Sequence, residues 1–113
     1  SFICVGTPLK KNLNIDLAQI IDVTKKIGLQ LKLKKKFHII VYKSTLPPET
    51  IDKLCIPILK NKSGKTIDKD FGVISNPEFL REGEAVKDFD KPDRVVVGFR
   101  DLKSKKIIIK AFL

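Results

Sequence analysis

His38-Ile39-Ile40-Val41-Tyr42-Lys43-Ser44-Thr45-Leu46-Pro47-Pro48 runs from a continuous apolar stretch straight into hydroxyls and two prolines. A short strand apolar on both faces is one covered on both faces, as in a parallel sheet packed between helices. The tail cannot continue it, because each proline fixes its own φ and supplies no backbone donor. Upstream, Asp16 opens a helix in which Leu17, Ile20, Ile21, Thr24, Ile27, Gly28 and Leu31 recur at helical spacing, with Lys25, Lys26 and Lys32 on the other side. Further upstream, Phe2-Ile3-Cys4-Val5 reads as another buried strand, closed by Gly6-Thr7-Pro8 and followed by a polar loop from Leu9 to Asn14.

Downstream, a second helix is expected to begin near Pro48-Glu49 with Ile51, Leu54, Cys55, Ile58 and Leu59 as its apolar face, and Pro57 as a misfit that bends it. After a lysine-rich loop from Asn61 to Asp70, Phe71 to Ser75 forms the third strand. A short turn follows at Glu84 to Lys87, then a fourth strand from Arg94 to Gly98. Asp101 caps a last helix, Leu102 to Leu113, for which the β-branched run Ile107 to Ile109 leaves strand as the alternative. Strands alternating with helices define an α/β fold: a parallel sheet of about four strands with helices on its faces.

The 113 residues are of single-domain size, and 42% hydrophobic residues suffice for one modest core. The 23 Lys and Arg against 13 Asp and Glu give a formal net charge of +10, which raises the possibility of a noncatalytic basic module that binds polyanions. The lysines are spread along the whole chain, however, and the seven Phe fall mostly inside apolar runs. A solvated lysine surface is the better reading, and nucleic acid is not an expected partner. Cys4 and Cys55 lie in apolar contexts without metal-ligand spacing and read as buried small hydrophobes; His38 reads as structural. No segment reaches the length of a membrane span or has the layout of a secretory leader, so a cytoplasmic protein is expected. The chain enters its first strand without any lead-in, as a piece of a longer protein would.

Ligands of open parallel sheets bind beyond the carboxyl ends of the strands. Here those positions are Gly6-Thr7-Pro8, Ser44-Thr45 and Asn76-Pro77-Glu78-Phe79-Leu80-Arg81-Glu82-Gly83. Thr7, Ser44 and Thr45 offer hydroxyls, and the helix after Pro48 offers free backbone donors, a set suited to a phosphate-bearing ligand. If a helical turn starts at Pro77 with Asn76 as its cap, Glu78 and Glu82 share one face; a capped surface turn with solvated charges is the alternative. There is no GxGxxG after a strand. Gly64-Lys65-Thr66 imitates the end of a phosphate-binding loop but has neither the first Gly nor a preceding strand, and belongs to a loop.

Phe2 to Pro8, Lys43 to Pro47, Asn76 to Gly83 and Pro92-Asp93-Arg94-Val95-Val96-Val97-Gly98 together resemble, in order and spacing, the UDP-glucose/GDP-mannose 6-dehydrogenase family. The resemblance runs through essentially all 113 residues. It implies that residues 1–113 are a single partial domain, the C-terminal half of an NAD-binding Rossmann-like domain. It also implies an NAD-dependent oxidation of a nucleotide-sugar primary alcohol to a uronic acid in two steps, through a cysteine thioester. By the same resemblance Thr7 and Thr45 contact NAD, and Thr45 helps hold a catalytic water. Glu78 activates water for thioester hydrolysis, Glu82 lies near the nicotinamide and sugar, and Phe79, Leu80 and Arg81 line the sugar-nucleotide pocket. The family's glycine-rich turn, its nucleophilic cysteine and its sugar-nucleotide domain have no counterpart here. The chain alone is therefore expected to be inactive, with the missing parts of the enzyme as its partners and a homodimer as the full-length form.

Overall fold

The computed structural model describes residues 1–112. A four-stranded sheet has its strands in chain order: β1 (Phe2–Ile3), β2 (His38–Tyr42), β3 (Phe71–Ser75) and β4 (Gly98–Phe99). β1, β2 and β3 are parallel, with Phe2 opposite Val41 and His38 opposite Phe71, whereas β4 returns antiparallel with Ile74 opposite Phe99. Helix α1 (Ala18–Leu31) connects β1 to β2, and α2 (Ile56–Ser63) connects β2 to β3. A short α3 (Ala85–Asp90) and a longer α4 (Leu102–Phe112) flank β4.

Side chains alternate across each strand, so β2 and β3 feed two cores. Ile40, Tyr42, Phe71 and Val73 join Ile20 and Leu31 of α1 and Ile56 and Leu59 of α2 in the larger one. Val41 and Ile74 meet Ile108 of α4 in the smaller one on the opposite face. Close approach is secured by glycines. A Cβ at Gly28 would come within 2.7 Å of the Lys62 Cβ, which sets the contact of α1 with α2. A Cβ at Gly72 would fall 1.8 Å from the Ser104 Oγ, so α4 can lie on β3 only over a residue without a side chain.

The expected α/β sheet forms, with local departures. Asp16 stands just ahead of the helix N-cap, Leu17, and its Oδ1 accepts from the Ala18 amide at 2.9 Å. The second helix starts as a π-helical turn, Ile51–Cys55, and becomes α-helical at Ile56, which puts Pro57 in the first turn. The wider turn accommodates a proline that would otherwise collide with the carbonyl four residues back. Gly64, at φ 68°, closes α2 in the left-handed conformation, so the Gly64-Lys65-Thr66 imitation is a helix end. Asp101 Oδ1 accepts from the Ser104 amide at 2.8 Å, and helix prevails over strand at Ile107 to Ile109.

β1 is shorter than its apolar run, and Cys4 is exposed rather than buried. The fourth strand is a two-residue antiparallel pairing at Gly98–Phe99 instead of Arg94 to Gly98, and the turn expected at Glu84 to Lys87 is helix α3. Of the phenylalanines, Phe71 is buried, but Phe2, Phe79, Phe89, Phe99 and Phe112 are exposed.

Candidate functional site

The carboxyl ends of β1, β2 and β3 form one rim, and polar side chains tie it together. Ser44 Oγ donates to the Val5 carbonyl at 2.6 Å, and Thr7 Oγ1 donates to the Thr45 carbonyl at 3.4 Å. Thr7 and Thr45 are thus neighbours. Ser44 is spent on holding β1 to β2. The Thr7 bond is long, which leaves that hydroxyl on the rim able to serve another partner.

At the end of β3, Asn76 is 1% exposed and continues the β2 pairing, its amide donating to the Tyr42 carbonyl at 2.9 Å. Its side chain does two further jobs. Nδ2 donates to the Val96 carbonyl at 2.8 Å, fixing the segment before β4, and Oδ1 accepts from Lys43 Nζ at 3.2 Å. The Lys43 ammonium also lies 4.0 Å from Glu78 Oε2.

The helical turn expected from Pro77 does not form: residues 76–81 are irregular and 82–84 make a turn. Asn76 is therefore no cap, and no helical face joins Glu78 to Glu82. Proline at 77 and a side chain already committed to Lys43 and Val96 favour an extended exit from β3 instead. The loop is held from its far end, where Arg81 donates its backbone amide, Nε and Nη2 to the Asp88 carboxylate at 2.9, 3.0 and 2.5 Å. The Arg81 bonds hold the Asp88 carboxyl down to about 2. Arg94 stacks over Phe79, 5.1 Å from the ring centroid.

These contacts enclose a cleft of about 540 Å³, lined by Lys43, Asn76 to Arg81, Asp88 to Asp90, Pro92 to Val95, Ala111 and Phe112. Glu78, Phe79, Leu80 and Arg81 all face it. Thr7 and Thr45 belong to the adjoining rim rather than to this lining, and Glu82 is exposed in the turn and lines no part of it. Lys43 was not singled out in the sequence. Its one signal was position, a lysine directly behind a buried strand. Among the described residues no group of three or more His, Cys, Asp or Glu could hold a metal, and no helix is long and apolar enough to cross a membrane.

A parallel β1–β2–β3 sheet wound in chain order through helical crossovers, with an antiparallel β4 beside it, defines an α/β protein of Rossmann-like architecture. Residues 1–112 match the model of the NAD-binding domain of the UDP-glucose/GDP-mannose dehydrogenase family, and the chain belongs to that family. It is 44% identical over 108 residues to GDP-mannose 6-dehydrogenase of Pseudomonas aeruginosa, a match covering 96% of this chain and 25% of the relative. It is 42% identical over 112 residues to UDP-glucose 6-dehydrogenase of Rickettsia bellii, covering 99% of this chain and 24% of the relative. The crystal structure of a ternary complex of the Pseudomonas aeruginosa GDP-mannose dehydrogenase superposes with a TM-score of 0.94 at 42% identity, over 98% of this chain and 26% of that one. The chain thus spans about a quarter of the length of the curated relatives it matches.

Proposed function

We propose that residues 1–113 are the C-terminal half of the NAD-binding domain of a nucleotide-sugar 6-dehydrogenase, which oxidises UDP-glucose, GDP-mannose or a related sugar nucleotide to the uronic acid in two steps. The observation that carries this reading is the Glu78 carboxylate, which faces the cleft beyond the strand ends with the Lys43 ammonium 4.0 Å away. NAD supplies the hydride acceptor for both oxidations. Thr7 and Thr45 fit part of its site, as adjacent residues on the rim beyond two parallel strands.

Glu78 takes the proton from the water that attacks the acyl carbon. The new C–O bond replaces the C–S bond, and the thiolate of a cysteine outside this chain departs. Phe79, Leu80 and Arg81 line the sugar-nucleotide side of the cleft. The same family reading gives Glu82 a place near the nicotinamide, and Thr45 a hydroxyl for the water. NAD and nucleotide sugars are cytoplasmic metabolites, so the enzyme works there, as a homodimer once complete. Residues 1–113 by themselves are inactive.

The full-length protein is expected to reduce two NAD per sugar nucleotide, with UDP-glucose and GDP-mannose assayed side by side; no NADH with either, or with N-acetylated analogues, refutes the assignment. In E78Q the first oxidation should persist while the covalent acyl-enzyme accumulates, visible by intact-mass measurement. Unchanged hydrolysis in E78Q removes the role given to Glu78. A basic polyanion-binding module would instead show nucleic-acid affinity that falls steeply with salt.

A further inference from the structure

Lys43 stands apart from the other ion-paired lysines. Its side chain is 14% exposed, whereas those of Lys10, Lys26, Lys53 and Lys87 are 53%, 72%, 71% and 74% exposed. An ammonium is brought under cover only where fixed acceptors replace its water. Here the acceptor is Asn76 Oδ1 at 3.2 Å, with the Glu78 carboxylate as an ion-pair partner at 4.0 Å.

Asn76 can face only one way. Lysine has no acceptor and a carbonyl has no donor, so Oδ1 must turn to Lys43 and Nδ2 to the Val96 carbonyl. The ammonium is therefore pinned through a side chain that is itself buried and tied to a neighbouring segment. Glu78, by contrast, is not gripped. At 4.0 Å the pair is at the outer limit of an ion pair, so the carboxylate feels the charge and keeps its lone pairs free for another donor.

We infer that Lys43 is a positioning residue for the proposed reaction: held by Asn76, it keeps the Glu78 carboxylate aimed into the cleft without occupying the oxygen that must receive the proton. This rests on the role proposed for Glu78. The same network ties the carboxylate to the ends of β2 and β3 and, through Val96, to the approach of β4.

The test uses the full-length enzyme with K43Q, K43R, E78Q and the double variant K43Q/E78Q. Glutamine still donates to Asn76 but carries no charge; arginine keeps the charge. K43Q should lower kcat for the overall reaction by about ten-fold or more. Its KM values for NAD and the sugar nucleotide should stay within about three-fold of wild type, and acyl-enzyme should build up. K43R should recover most of the rate, and K43Q/E78Q should be no slower than E78Q. A wild-type kcat in K43Q, equal losses in K43Q and K43R, or multiplicative losses in the double variant would each overturn the role of Lys43. If E78Q itself hydrolyses normally, the reading of Glu78 fails first and takes this one with it. If K43Q does not fold, K43M takes its place with the same outcomes.

Discussion

Asp88 and Tyr42 show how single side chains are tuned by opposite causes. The guanidinium and amide of Arg81 stabilise the charged form of Asp88 and lower its pKa to about 2. A depressed carboxyl contributes stability that is present above its unfolded pKa, about 3.9. The clamp on residues 81–88 is thus expected to hold at pH 5 and to loosen as pH falls from about 4 toward 2. Carbon NMR of the Asp88 carboxyl and hydrogen exchange of the Arg81 amide would follow it, and D88N should speed that exchange at neutral pH. Tyr42 is the single tyrosine. Burial raises its pKa far above the ordinary phenol range, the Cys55 thiol beside it adds to the rise, and burial pushes that thiol up as well. Both groups are native in their neutral forms, so stability is complete below the unfolded thiol pKa of about 8.5 and declines as pH rises past it and past about 10. Y42F should cost about 1 kcal/mol at neutral pH by removing the 2.9 Å bond to Thr24. It should also flatten the upper part of the alkaline loss, read by denaturant titrations at stepped pH. Glu78 was legible as a candidate because it stands beside a proline after a strand. Lys43 was not, because no letter records that one lysine among many is covered.

Elements with a regular period were readable from the sequence, and those without one were not. α1 repeats its apolar residues every three or four positions, and Ile20, Thr24, Gly28 and Leu31 are the ones it buries. β2 and β3 carry mostly apolar residues on both faces because helices lie on both sides of them. From Asn76 to Val97 the conformation is set by partners far along the chain, Lys43 to Asn76 and Asn76 to Val96, which no local window contains. The same applies to β4, which exists through two residue pairs with β3. Glycines at the contacts between elements carry a prediction. G72A places a methyl on Ser104 and is expected to destabilise the fold by about 1–3 kcal/mol, through overpacking between β3 and α4. Adding S104G should return part of that loss. A thermal or denaturant titration of the two variants decides it, and an unchanged midpoint for G72A would show that α4 is not seated on β3.

At the scale of the whole sheet, β1 and β4 are its two edge strands among the described residues. β4 pairs with β3 through two residue pairs, and at the other end of the sheet Phe2 of β1 is 57% exposed and Cys4 beyond it is exposed. The strand order carries a last consequence, for the way this polypeptide leaves the ribosome. Because β1, β2 and β3 stand side by side in the order of synthesis, each strand emerges when its neighbour is already available. None has to wait for a later one to be slotted between. Such a chain can assemble vectorially, each parallel strand pairing with the one synthesised just before it.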